Sequence, residues 1–263
     1  LNKLLPLVGV QFLAAMLVLL NAIVPGAPLT SSFYFNPPYV YAALNTIFLV
    51  PAGLAIAYLS AKTFRFGGPV GIHLMGAGAL ALCLATLSTW AGVTSQDINF
   101  YFVFLDLFGL FFGGGLQAAG AIVSYFGVTV EPEKREHATI AIYLTVLVFA
   151  LATIAADVLG WIPPFFATSP TLVSKEVIGV AAVFFAVSTI LLARTYIVTN
   201  SEVIYWYMMA MLLILMSVIT YQFIRHPGDP ISWLYRCISF LYGGAFLTAV
   251  VKSMAKPKTE ESE

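Results

Sequence analysis

The chain has 263 residues, of which 60% are hydrophobic and 9% charged, with a mean hydropathy of +0.94 and a formal net charge of zero. An ordinary soluble domain carries about 25% charged residues, so this composition excludes a soluble core and points to lipid as the solvent of the fold. The charge balance gives no ground for a nucleic-acid partner.

In chain order, windowed hydropathy predicts eight spans, at about 4–25, 38–61, 69–91, 100–126, 137–160, 176–196, 203–224 and 231–252. A membrane helix needs roughly 20 apolar residues, and these runs are too long and too uniformly apolar for barrel strands. The expected fold is an all-α integral membrane protein: a bundle of about eight transmembrane helices forming one domain over 1–252, with a short polar cytoplasmic tail at 253–263. Turn formers punctuate the spans at Gly26-Ala27-Pro28, Gly67-Gly68-Pro69, Pro163-Pro164 and His226-Pro227-Gly228-Asp229-Pro230. The first span follows Lys3, yet its apolar core is too long for a signal peptide and no A-x-A pattern follows.

Short-loop Lys and Arg favour the cytoplasm. Lys3, Lys62, Arg65, Lys134, Arg135, Arg194, Lys252, Lys256 and Lys258 fall on one side, against Lys175, Arg225 and Arg236 on the other. Both termini are therefore expected in the cytoplasm, and the location is the plasma membrane.

Little in the sequence points to catalysis. There is no glycine-rich phosphate loop, no H-E-x-x-H and no nucleophile elbow, so the expectation is a non-enzyme. Cys83 and Cys237 lie inside spans without companion ligands and read as small buried hydrophobes, with no metal or disulfide. Of three histidines, only His73 and His137 could share a haem. Both fall near the cytoplasmic interface and read as solvated or interfacial, so no cofactor is assigned.

The informative residues are polar groups inside the spans, which are costly in lipid and face the bundle interior, a partner or water. Asp106 lies about two turns below the outer surface on span four, and Asp157 returns on span five to similar depth. Asn21, Asn45, Gln222 and Arg236 fall in the same outer half, beside loop residues Arg225, His226 and Asp229. Two readings stand open. The polar groups tie helices together, or Asn45, Asp106, Asp157 and Arg236 line an outward-opening pocket for a small polar ligand, walled by aromatics such as Phe35, Tyr39, Tyr41, Phe104, Trp161 and Trp233. Trp90, Trp161, Trp206 and Trp233 also suit interfacial anchoring. In span four, Gly109, Gly113, Gly114, Gly115 and Gly120 predict close helix packing, with a kink or a cofactor lying against the bare backbone as the alternative, and Gln117 is expected to bond across helices.

Several short motifs occur in an order that resembles the multi-span N-terminal sensor regions of bacterial and archaeal histidine kinases and related signalling proteins. They are Asn36-Pro37-Pro38-Tyr39, Leu44-Asn45-Thr46-Ile47-Phe48, Leu74-Met75-Gly76-Ala77-Gly78, Trp161-Ile162-Pro163-Pro164-Phe165-Phe166, Tyr205-Trp206-Tyr207, Gly228 to Arg236, and Leu241-Tyr242-Gly243-Gly244. Such regions detect a signal at the membrane and pass it to cytoplasmic output domains. Span four of the family carries a His-Asn pair and a second His eleven residues after that Asn; here Leu105, Asp106 and Gln117 stand at those positions. The resemblance implies a sensory or ligand-binding membrane domain, either excised from or descended without its output module. The bilayer and a partner membrane protein or a second copy of the chain are the expected partners. An accessory subunit of a larger, respiratory type of complex and a quinone- or haem-binding redox subunit are the alternatives.

Overall fold

A computed structural model describes residues 38–94, 98–166, 170–224 and 229–254. The first expected span lies outside the described residues, as do Asn21, Phe35, Arg225, His226 and the tail beyond 254.

The helices are α1 (Pro38–Phe48), α2 (Val50–Arg65), α3 (Val70–Thr94), α4 (Ile98–Val103), a π-helical segment (Phe104–Phe112), α5 (Gly113–Tyr125), α6 (Arg135–Val158), α7 (Leu172–Thr199), α8 (Glu202–Tyr221) and α9 (Pro230–Met254). Among the described residues there is no strand, only one isolated bridge between Phe166 and Pro170. Seven helical stretches are long and apolar enough to cross a membrane: Tyr39–Arg65, Val70–Thr94, Asn99–Tyr125, Pro132–Val158, Leu172–Thr199, Glu202–Tyr221 and Pro230–Met254. They coincide with the second to eighth spans read from the sequence, and they make the chain a multi-pass helical membrane protein.

Successive spans alternate in direction. We call the end holding Tyr39, Thr94, Asn99, Val158, Leu172, Tyr221 and Pro230 the upper end, and the opposite one the lower end. Cross-links from distant segments fix both ends. At the upper end the Asn99 side-chain oxygen accepts from the Phe165 and Phe166 amides at 2.8 and 3.1 Å, and Gln222 Nε2 donates to the Lys175 carbonyl at 3.0 Å. At the lower end Arg135 Nη1 donates to the Phe64 carbonyl at 2.9 Å, and Lys252 pairs with Glu202 at 2.8 Å.

Local chemistry sets the helix boundaries. Pro51 has no amide hydrogen, so the first described span breaks at Leu49 between α1 and α2 while bonds from Leu49 to Asn45 and from Gly53 to Leu49 keep it in line. α2 ends with Gly67 at φ 110°; its amide and that of Gly68 bond back to the Phe64 and Thr63 carbonyls, a Schellman closure that a side chain at Gly67 would strain. Thr171 caps α7 by accepting from the Ser174 amide.

α3 sits at the centre, packed on α1, α2, α5 and the π segment, while α8 lies between α7 and α9 and α9 returns to α1 and α2. The approach of α3 to the span-four helix follows from glycine. A Cβ on Gly78 would lie 2.7 Å from the Gly113 carbonyl oxygen, and one on Gly120 would lie 2.6 Å from that of Gly71. The expected close packing at Gly113 and Gly120 is therefore present. By contrast α6 is peripheral, with 22% of its most apolar stretch buried against 72% for α3.

Candidate functional site

The π-helical segment carries Asp106. Its wider turn brings residues four apart near to alignment, and Phe104, Phe108 and Phe112 form a ladder with centroids 4.7 and 5.9 Å apart. Phe149 of α6 stacks on Phe112 at 4.1 Å. On the opposite side Gly109 meets Ala85 of α3, where a Cβ would have only 2.5 Å of clearance. Packing on both faces thus holds the altered winding, and the chain resumes α-helix at Gly113.

Asp106 is fully buried. Ser174 Oγ, in the first turn of α7, donates to Asp106 Oδ2 at 2.6 Å, and the Tyr221 hydroxyl, at the last residue of α8, donates to the same oxygen at 3.3 Å. The two hydroxyls are 3.3 Å apart. Asp106 Oδ1 has no hydrogen-bond partner among the described residues. Three spans thus meet on one carboxyl oxygen of Asp106.

Arg236 is also buried, in the second turn of α9. Its guanidinium lies 4.2 Å from the Tyr41 ring centre and 4.9 Å from that of Trp233, both within cation–π range. No ion pair joins Arg236 to Asp106. An aromatic layer connects them instead. The Tyr41 hydroxyl bonds that of Tyr101 at 3.0 Å, Tyr101 packs on Phe102, Phe102 on Tyr221 at 6.1 Å, and Tyr221 on Tyr235 at 5.6 Å.

Asn45 is buried one turn below Tyr41 on the same face of α1, and its Oδ1 has no hydrogen-bond partner among the described residues. Asp157 stands apart. The antiparallel pairing of Phe149 with Phe108 and Phe112 sets Thr153 near the level of Asp106, which leaves Asp157 about one turn, or ~6 Å, nearer the upper end, half-buried at the close of α6. The structure therefore gathers Asn45, Asp106 and Arg236 into one upper layer and places Asp157 at its margin.

Of the expected aromatic walls, Tyr41 and Trp233 enclose Arg236, and Phe104 belongs to the phenylalanine ladder. Tyr39 and Trp161 are exposed at 63% and 74%, as anchors at the membrane surface would be. Trp90 Nε1 donates to Thr46 Oγ1 at 2.8 Å.

Comparison with family models, with curated proteins and with solved structures gives no match.

Ser174, Tyr221, Tyr101 and Tyr235 are the site residues that sequence reasoning missed. Ser174 fell in the expected connector before span six, and the tyrosines resemble interfacial residues. A second polar node, expected from Gln117, lies in the lower half: Gln117 Nε2 donates to the Met75 carbonyl at 3.0 Å, and the Tyr207 hydroxyl donates to Gln117 Oε1 at 2.8 Å. A cavity of about 290 Å³ borders it, lined by Ile72, Met75, Tyr207, Val250 and the hydroxyls of Ser60 and Ser253.

Two expectations need correction. His73 is not solvated or interfacial. It is fully buried, stacked on Phe64 at 5.2 Å and edge-on to Tyr143 at 5.0 Å, because the Phe64 turn and α6 close over it. Among the described residues neither ring nitrogen has a hydrogen-bond partner of good geometry, though the Thr139 backbone faces it. Cys83 is buried as expected, with Sγ 3.4 Å from the Val50 carbonyl, whereas Cys237 is exposed on the outer side of α9.

Proposed function

We propose that this chain is a non-catalytic, membrane-embedded sensory domain of the plasma membrane, with its lower end in the cytoplasm and its upper polar layer as the signal-receiving element. One observation carries the reading: Asp106, buried in a π-helical turn, presents one oxygen to Ser174 and Tyr221 and a second that accepts nothing among the described residues. Such a carboxyl group suits a small polar ligand that hydrogen-bonds to its second oxygen, with the Arg236 cation and the Asn45 amide in the same layer. π turns recur at functional sites because they can rewind to α, which rotates everything that follows. Rewinding here would turn α5 and displace Gln117 from Tyr207 and Met75, carrying the change toward the lower connectors. A ligand drives this only by binding one winding better than the other. The sensor-like order of motifs agrees with the reading.

Hydrogen–deuterium exchange on protein in nanodiscs tests it. Asp106→Asn and Tyr221→Phe are each expected to change exchange at the lower connectors 66–69 and 126–131 as well as locally. Native mass spectrometry of gently extracted wild type is expected to show a bound small polar molecule that Asp106→Asn and Arg236→Ala lose. Exchange changes confined to the upper end, with no molecule distinguishing the variants, would overturn the proposal.

A second reading, an accessory subunit in a larger complex, is favoured by α6, which exposes Ile140, Leu144, Leu147, Val148 and Leu151 along one flank. Stoichiometric co-purification of a membrane partner, lost on placing charges along that flank, would support it.

A further inference from the structure

The seam between α2 and α6 opens to the outside as a groove of about 840 Å³. Two contacts hold it in shape. Near the lower end, Arg135 Nη1 and Nε donate to the Phe64 and Val130 carbonyls, and deeper in the span the Tyr143 hydroxyl donates to the Ala57 carbonyl at 2.6 Å.

Polarity is ordered along the groove. At its mouth, in the last turn of α2, stand Lys62 and Arg65, both exposed and without an ion-pair or side-chain hydrogen-bond partner among the described residues. No acidic residue lines the groove; Glu131 is taken by Lys134, and Glu136 lies one turn nearer the lower end than Ile140, outside the lining. Beyond the mouth the walls are Ile140, Leu144 and Leu147 on α6 and Tyr58 on α2, each more than half exposed. From Arg65 to Tyr58, and from Thr139 to Leu147, the lining covers seven and eight residue steps, or ~10–12 Å of helix rise. That takes it from the headgroup level to about a third of the way through a ~30 Å hydrocarbon core.

Cations at the surface followed by an apolar trough facing acyl chains match one kind of molecule. A soluble anion would use the mouth and leave the trough idle, and a neutral lipid would use the trough and leave two cations without a partner. We propose that the α2–α6 seam binds one anionic phospholipid of the lower leaflet, with its phosphate between Lys62 and Arg65 and an acyl chain along Ile140, Leu144 and Leu147. Basic recesses between membrane helices on the cytoplasmic side are physically suited to acidic headgroups.

The test is native mass spectrometry of the delipidated protein, titrated with phosphatidylglycerol or phosphatidylcholine of identical acyl chains. Wild type is expected to retain one phosphatidylglycerol in preference to phosphatidylcholine. Lys62→Gln with Arg65→Gln is expected to weaken that retention by about 30-fold, roughly a factor of five per cation. Leu144→Trp, which fills the trough and keeps the charges, is expected to weaken it as well, and decides the matter if the charge variant fails to fold. Glycerol phosphate is expected not to compete. Equal retention of the two lipids, wild-type retention by either variant, or displacement by glycerol phosphate would each overturn the proposal. Neither the Asp106 layer nor its variants enter this test, so its failure and that of the sensory reading are distinguishable.

Discussion

The Asp106 carboxylate depends on two hydroxyls reaching one oxygen from different helices, and its energetics follow from what is left when one is removed. Hydrogen bonds between membrane helices contribute about 0.6 kcal/mol on average and up to ~1.7. Leaving a buried acceptor without its donor costs more, about 1–3 kcal/mol. Ser174→Ala removes the 2.6 Å bond and Tyr221→Phe the 3.3 Å bond, so the serine variant is expected to be the more destabilised, by about 2 kcal/mol against about 1. Because both act on one oxygen, the double variant should depart from additivity. Denaturant unfolding in mixed micelles checks both statements, and equal small losses that simply add would mean Asp106 is held by something else. The lower node offers a comparison of neutral partners. A double-mutant cycle on Gln117→Leu and Tyr207→Phe is expected to give a coupling of about 0.6–1.7 kcal/mol.

At the level of helices, the crossing of α3 with the span-four helix is set by backbone contact at Gly71, Gly78, Gly113 and Gly120. Gly78→Ala would drive a methyl to 2.7 Å from the Gly113 carbonyl, backbone that cannot swing aside, so the two helices must part. Overpacking of this kind costs about 1–3 kcal/mol. Gly244 on α9 and Gly179 on α7 have nothing within 4 Å of the same built position. Alanine there is expected to be neutral or stabilising by up to about 1 kcal/mol, since glycine is the poorer helix former. Opposite signs in thermal unfolding for Gly78→Ala and Gly244→Ala would locate close packing where the backbones touch; losses of equal size would show that glycine acts through helix propensity alone. The π segment belongs to this scale too. Its sequence, Phe104 to Phe112, is apolar but for Asp106, and that composition does not distinguish π from α winding; in the structure Ala85 and Phe149 pack on either side of it.

For the whole molecule, the spans were legible because lipid leaves the backbone no partner but itself, so each crossing must be written as a long apolar run; all seven described spans coincide with such runs. The upper placement of Asp106, Asn45 and Arg236 followed from counting turns along alternating helices. Their partners were not legible, since Ser174 and Tyr221 reach Asp106 only through the rotation of α7 and α8, which hydropathy does not encode. His73 was misread for the same reason: nearness to a span end says nothing of whether Phe64 and Tyr143 close over it. Direction across the bilayer is the remaining global property, and the charge count of nine against three makes a cytoplasmic lower end the expectation. Thiol labelling of intact cells tests that assignment. In a Cys237→Ser background the remaining Cys83 is buried, so a single new thiol reports alone. Phe66, 83% exposed, marks the lower end and Trp161, 74% exposed, the upper. A membrane-impermeant maleimide is expected to label Trp161→Cys on intact cells and Phe66→Cys only after lysis. The reverse pattern would place Lys62 and Arg65 in the outer leaflet and turn the Asp106 layer toward the cytoplasm, leaving its proposed role as receiver of an external signal without access to one.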